Sequence, residues 1–129
     1  MLHPTHTHRR VLLALDGDSL NRELLGAALS CCVHLTSRLD ILLINPPEEP
    51  TSKLAVLLRQ LEHSGVDYRL ASAHGRIGEE VARYLRRHRG IATVVVSGLE
   101  QLAGAPLAQL GEEGHRFIGL IDQAKPIGA

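Results

Sequence analysis

Two stretches of this chain, Leu39-Asp40-Ile41-Leu42-Leu43-Ile44 and Ile91-Ala92-Thr93-Val94-Val95-Val96, are apolar almost without interruption. A strand with one wet face alternates apolar and polar residues. A nearly continuous apolar strand is covered on both faces, as happens in parallel sheets whose crossover helices pack above and below. Val11–Asp16 and Val66–Ala71 read as two more strands, and Phe117–Asp122 as a weaker fifth. Helix-length segments separate them. The predicted order is β-α-β-α-β-α-β-α-β, which makes the chain an α/β protein with an open parallel sheet.

The intervening segments carry helical spacing and helix-end signals. After Asp18 and Ser19, either of which suits an N-cap, Leu20, Leu24, Ala28, Cys31 and Leu35 recur every three or four residues, and Leu25 and Leu29 widen that face. A second helix begins near Ser52, with Leu54, Leu57, Leu58 and Leu61 on one side, and stops at Ser64-Gly65. The third places Ile77, Val81, Tyr84 and Leu85 together. Its first turn holds Glu79 and Glu80, its last holds Arg86, Arg87 and Arg89, and Gly90 lies beyond, an arrangement that complements the helix dipole. A short fourth helix is expected around Pro106–Leu110, among Gly104, Gly111 and Gly114.

With 129 residues, the chain suits one domain that buries roughly two thirds of its unfolded surface. Residues 1–8 read as a flexible N-terminal arm and residues 9–129 as the domain. Fourteen Lys plus Arg balance fourteen Asp plus Glu, so no global field draws nucleic acid or an anionic membrane. The five apolar residues before Asp16 are too few for a signal-peptide core or a membrane span, and a cytoplasmic location is expected. Cys31 and Cys32 are neighbours, a geometry that disfavours a mutual disulfide, and they read as small core residues.

The first strand ends in Leu13-Ala14-Leu15-Asp16-Gly17-Asp18. In an open α/β sheet, ligands settle beyond the carboxyl ends of the strands, where connections leave to opposite faces. The carboxylates, with Lys125-Pro126 near the end, invite comparison with a phosphoacceptor receiver. Such a domain needs an Asp at the end of its third strand; here that strand runs into Ala71-Ser72-Ala73.

Position by position, the chain resembles the universal stress protein family, whose first strand ends in a V-A-L-D-G-S type sequence. The likeness continues through the Ser19–Leu35 helix and Asp40-Ile41-Leu42-Leu43-Ile44-Asn45-Pro46-Pro47. Ala73-His74-Gly75-Arg76-Ile77-Gly78-Glu79-Glu80-Val81 is similar to the family's G-x-P-x-E-x-I transition, and Val94-Val95-Val96-Ser97-Gly98 to its fourth strand. It spans about residues 9 to 122. The resemblance implies a five-stranded parallel sheet ordered 3-2-1-4-5, with helices on both faces in a Rossmann-like arrangement. It also implies a homodimer through the last strand, Phe117–Ile121.

Nucleotide-binding members of that family carry G-x2-G-x9-G-[S/T] after the fourth strand; its glycines let backbone N–H groups approach the phosphates. Here the pattern starts at Gly98, but Gln101 replaces the second glycine, and Gly111 is followed by Glu112 and Glu113. A like-charge contact at ~4 Å costs about 1 kcal/mol in water and more when desolvated. The nucleotide crevice implied by the resemblance comprises Ala14, Leu15 and Asp16, with Ile44, Gly98 and Gly111. Its phosphate half is degenerate. The expectation is a non-catalytic stress-response or regulatory binding module without a resident cofactor, open to a protein partner. The alternative is an ATP- or AMP-binding switch with a rearranged Gly98–Glu113 loop.

The remaining candidates read more simply. Asp16-Gly17-Asp18-Ser19 lacks the paired glycines of an ATP-pyrophosphatase phosphate loop. His3, His6 and His8 fall in the terminal arm, and read as a solvated tail rather than a metal site. His74 reads as a surface residue. Arg83, Arg86, Arg87 and Arg89 read as a solvated helix face, with Glu79 and Arg83 as an i,i+4 pair; without nearby aromatic residues they make no case for nucleic acid.

Overall fold

In a computed structural model of the chain, the described residues are 10–16, 22–35, 38–48, 52–98, 102 and 116–119. They form β1 (Arg10–Asp16), α1 (Arg22–Leu35), β2 (Arg38–Ile44), α2 (Ser52–Ser64), β3 (Tyr68–Ala73), α3 (Ile77–Arg87), β4 (Ile91–Val96) and β5 (Arg116–Gly119). All five strands are parallel, in the order β3-β2-β1-β4-β5. The anticipated fourth helix at 106–110 and the tail of the last strand beyond Gly119 lie outside the described residues.

Double coverage of the sheet follows from the alternation of side chains along each strand. Val11, Leu13 and Leu15 of β1 join Leu39, Ile41 and Leu43 of β2 beneath α1 and α2, where Leu24, Leu25, Ala28, Leu57 and Leu61 meet them. The other face sets Leu12, Ala14, Leu42 and Ile44 against Ile77, Val81, Tyr84 and Leu85 of α3, and also holds Leu102. At about 25 cal/mol per Å² of apolar surface removed from water, these two clusters are the chief stabilising contribution.

Element ends differ from the periodic reading for local reasons. β3 starts at Tyr68 rather than Val66 because the Ser64 hydroxyl donates to Leu61 O at 2.6 Å and accepts from Val66 N–H at 3.1 Å. Gly65, at φ 77°, makes the reversal, and Val66 is spent in the turn. β2 stops at Ile44 because Asn45 has φ 51°. In α1 the fully buried thiol is Cys32, one turn beyond Ala28, while Cys31 is only half-buried; neither is in a disulfide. Burial, with lesser contributions from Cys31 and Asp40, pushes the Cys32 thiol up to about 12. It is therefore a core side chain with little thiolate at neutral pH.

Among the described strand residues, one buried charged group interrupts the apolar interior. Asp40, 1% exposed, projects from β2 toward α3, where its Oδ2 accepts the Tyr84 hydroxyl at 2.7 Å and the Arg69 guanidinium at 2.8 Å. Strand register sets Arg69 directly beside Asp40. The hydrogen bond to Asp40 raises the Arg69 pKa, keeping the guanidinium charged. For Tyr84, burial first and the bond to Asp40 second push the phenol up to about 12. The phenol is thus neutral in the folded state to higher pH than in the unfolded chain, where it titrates near 10. Its contribution is complete below pH ~10 and is lost as pH rises through about 12.

Tyr84→Phe should cost about 1 kcal/mol in denaturant unfolding at pH 7, and should remove the tyrosinate absorbance step near pH 12. Asp40→Ala, which strands a buried hydroxyl donor, should cost more, about 2 kcal/mol.

Candidate functional site

The first connection leaves β1 for α1 on one face, whereas the chain beyond β4 reaches Leu102 on the opposite, α3-side face. β1 and β4 are adjacent in the sheet, so their carboxyl ends flank a topological switch point. Asp16 and Gly98 each lie three residues beyond the paired Leu13 and Val95. Asp16 is also level with Ile44, and Ile44 with Ala73. These four residues outline the described rim of the crevice.

Within that rim the predicted residues play unequal parts. Asp16 is half-buried at the strand tip, exposed enough for its carboxylate to meet a ligand. Ala14 and Leu15, each 1% exposed, point into opposite core clusters; they hold β1 in place and offer a ligand no side-chain surface. Ile44 is likewise core, forming the apolar floor below Asn45. Gly98 is buried. Gly111, Gln101, Glu112 and Glu113 lie outside the described residues, as do Asp18, Ser19 and the histidines of the arm.

The opposite rim is built by residues that periodicity does not single out. Asn45 Nδ2 donates to Gly75 O at 2.8 Å, and Gly75 N–H donates back to Asn45 Oδ1 at 3.0 Å. Asn45 N–H also donates to Ala73 O at 2.8 Å, prolonging the ladder past the end of β2. Asn adopts the left-handed conformation more readily than other non-glycine residues, so its backbone and amide are used together. The exit loops of β2 and β3 are thereby clamped. The signal present in the sequence was Asn45 followed by Pro46-Pro47, a turn signature that also fits the simpler role of ending a strand.

Beneath Gly75 lies Glu80, 7% exposed, whose two carboxylate oxygens accept Arg83 Nη1 at 2.9 and 2.8 Å. The partner of Arg83 is therefore Glu80, at i,i+3, in place of the expected Glu79. Glu80 lies on the inward face of α3 and Glu79 is exposed. Gly75 has φ 143°, and a Cβ there would sit 2.7 Å from Glu80 Oε2. The backbone conformation requires glycine, and a Cβ would also push the Glu80 carboxylate aside. His74, between the clamped Ala73 and Gly75, is exposed, as are Arg86, Arg87 and Arg89. Among the described residues, no three His, Cys, Asp or Glu side chains group in a way that could hold a metal ion.

Asn45→Gly keeps the backbone conformation and deletes both side-chain bonds; Asn45→Ala deletes the bonds and adds left-handed strain. Thermal unfolding should rank them wild type, Gly, Ala, with the last two separated by about 1 kcal/mol. Equal stabilities for the two variants would refute the strain.

Comparison with known proteins agrees with this geometry at the level of fold. No family model and no curated protein matches the chain. Among solved structures, it is similar to a protein of the universal stress protein family from Burkholderia pseudomallei, with a TM-score of 0.60 and 16% identity over 92% of this chain and 98% of that one. With its five parallel strands ordered 3-2-1-4-5 and helices on both faces, the chain has the universal stress protein fold.

Proposed function

We propose that this chain is a non-catalytic, cytoplasmic stress-response module that acts by binding a partner, and that it does not hold ATP in the manner of nucleotide-binding universal stress proteins. The observation that carries the reading is the mismatch between the two halves of the crevice. Asp16 and Gly98 stand at the ends of adjacent strands, a suitable frame for a nucleoside. The sequence that follows Gly98 supplies Gln101 where a phosphate loop needs glycine, and Glu112-Glu113 where it needs a hydroxyl. Backbone N–H groups cradle a phosphate only if the chain can approach closely, and carboxylates oppose the anion.

A second reading keeps the nucleoside half in use: AMP or adenosine held by Asp16 and the Gly98 turn, with the Gly98–Glu113 loop rearranged and few phosphate contacts. The half-buried Asp16 carboxylate favours it, since a strand-tip carboxylate can accept ribose hydroxyl hydrogens. Self-association through the Phe117–Ile121 strand belongs to the same proposal. Phe117 and Ile118 are half-buried on the terminal strand of the sheet, an edge whose outer backbone groups can pair with a second copy.

Calorimetric titration with ATP, ADP and AMP, with and without Mg²⁺, should give no micromolar ATP binding; a micromolar ATP isotherm would overturn the principal reading. Nucleotide released on denaturing the purified protein, identified as AMP or adenosine, would promote the second. Light scattering at micromolar concentration should return twice the 14.0 kDa chain mass.

A further inference from the structure

The opposite edge of the sheet, where the strands begin, carries a cleft of about 400 Å³ lined by Arg10, Arg38, Asp40, Asp67 and Arg69. Arg10 and Arg38 are register partners on adjacent parallel strands. Their backbones are therefore about 4.8 Å apart, and their side chains leave the same face of the sheet. That is the face of α3, because Arg10 reaches toward Asp40, which bonds Tyr84. Like charges at directly neighbouring positions repel, so the pair calls for a counter-charge.

The carboxylates of the cleft meet that need only in part. Asp40 is engaged at hydrogen-bond distance by Arg69 and Tyr84, both through Oδ2. Arg10 Nη1 stands 3.8 Å from the same oxygen, beyond hydrogen-bond length. Arg38 Nε stands 3.9 Å from Asp67 Oδ2, and these two side chains are 63% and 81% exposed, so solvent screens their attraction. With Arg69 and Asp40 cancelling, two guanidiniums face one loosely held carboxylate among the described residues. Nearby, Gly90 O accepts Arg10 N–H at 2.8 Å, which draws the turn bearing the exposed Arg89 against the start of β1. The partial negative charge of the α3 C-terminus at this edge is opposed by Arg86 and Arg87 in its last turn.

We propose that this amino-edge cleft is a binding site for a phosphate-type dianion, whose oxygens bridge the guanidiniums of Arg10 and Arg38. Planar guanidinium forks match the geometry of such oxyanions and bind them through paired, charge-assisted hydrogen bonds. The cleft exceeds the size of a single phosphate group and has room for a small phosphorylated molecule. Asp40 acts here as a positioning residue: by holding Arg69 and Tyr84, it fixes the wall beside Arg10. The site lies across the sheet from the crevice and shares no residue with it, so its failure would leave the proposed function standing.

The test is titration at constant ionic strength, in a buffer free of other oxyanions, with inorganic phosphate and separately with glycerol phosphate, followed by thermal unfolding and calorimetry. Saturable binding is expected in the low millimolar range or below. Binding of both probes identifies the ligand as a phosphorylated molecule, whereas phosphate alone identifies the free ion. Arg38→Gln, at an exposed position, should leave the ligand-free unfolding midpoint nearly unchanged and weaken binding about tenfold. Asp67→Asn, which removes the competing carboxylate, should strengthen it severalfold. Absence of saturation by ~20 mM, or affinity undiminished in Arg38→Gln, would overturn the proposal.

Discussion

Everything in this molecule depends on burying β1 and β2 on both faces at once. Residues 11–15 of β1 and 41, 42 and 44 of β2 are at most 2% exposed, and the side chains alternate between two separate cores. A strand in that position has no side for polar groups. Chemistry is consequently pushed to the strand ends, where Asp16 terminates β1, Asn45 terminates β2, and Arg10 and Arg38 begin them. The parallel arrangement then sorts these ends into two edges, all carboxyl ends on one and all amino ends on the other.

Asp40 is the exception that shows the cost of breaking this rule. A carboxylate withdrawn from water loses several kcal/mol of solvation unless partners restore it. Here Arg69 comes from the neighbouring strand at the same level and Tyr84 from the covering helix, so the ion ties β2, β3 and α3 together. Arg69 remains 46% exposed along its side chain, which leaves its charge partly hydrated and lowers the penalty of the pair. His88 stacks on Tyr84 with ring centroids 3.9 Å apart and extends the arrangement to the end of α3.

The strands, their parallel direction and the faces of α2 and α3 were legible in the sequence because each follows from a period of apolar residues, and burial enforces periods. The helix positions Leu57, Leu61, Ile77, Val81, Tyr84 and Leu85 are all buried where spacing put them. Asp16 was legible as a strand tip. The partners of polar groups were not, because a hydrogen bond depends on which residues the fold brings level. Asp40 and Arg69 are 29 positions apart, and Asn45 and Gly75 are 30 apart. Glu79 and Glu80 look equivalent in the sequence; only the rotation of α3 against the sheet decides that Glu80 turns inward to take Arg83. The order 3-2-1-4-5 came from the family resemblance and not from any residue pattern, since strand order is a property of long-range packing.

The two edges carry different sets of charges, and helix direction contributes to the difference. Crossover helices run antiparallel to the strands, so α3 starts at the carboxyl edge and ends at the amino edge. Its first turn carries Glu79 and Glu80 and its last Arg86 and Arg87, each sign suited to the dipole at that end. The carboxyl edge thus carries Asp16 and Glu79 along with Arg76, the residue before α3, while Glu80 is paired with Arg83 beneath Gly75. The amino edge gathers Arg10, Arg38 and Arg69 against two carboxylates. Side-chain charge at the strand and helix ends, rather than the apolar sheet between them, is what differs from one edge to the other.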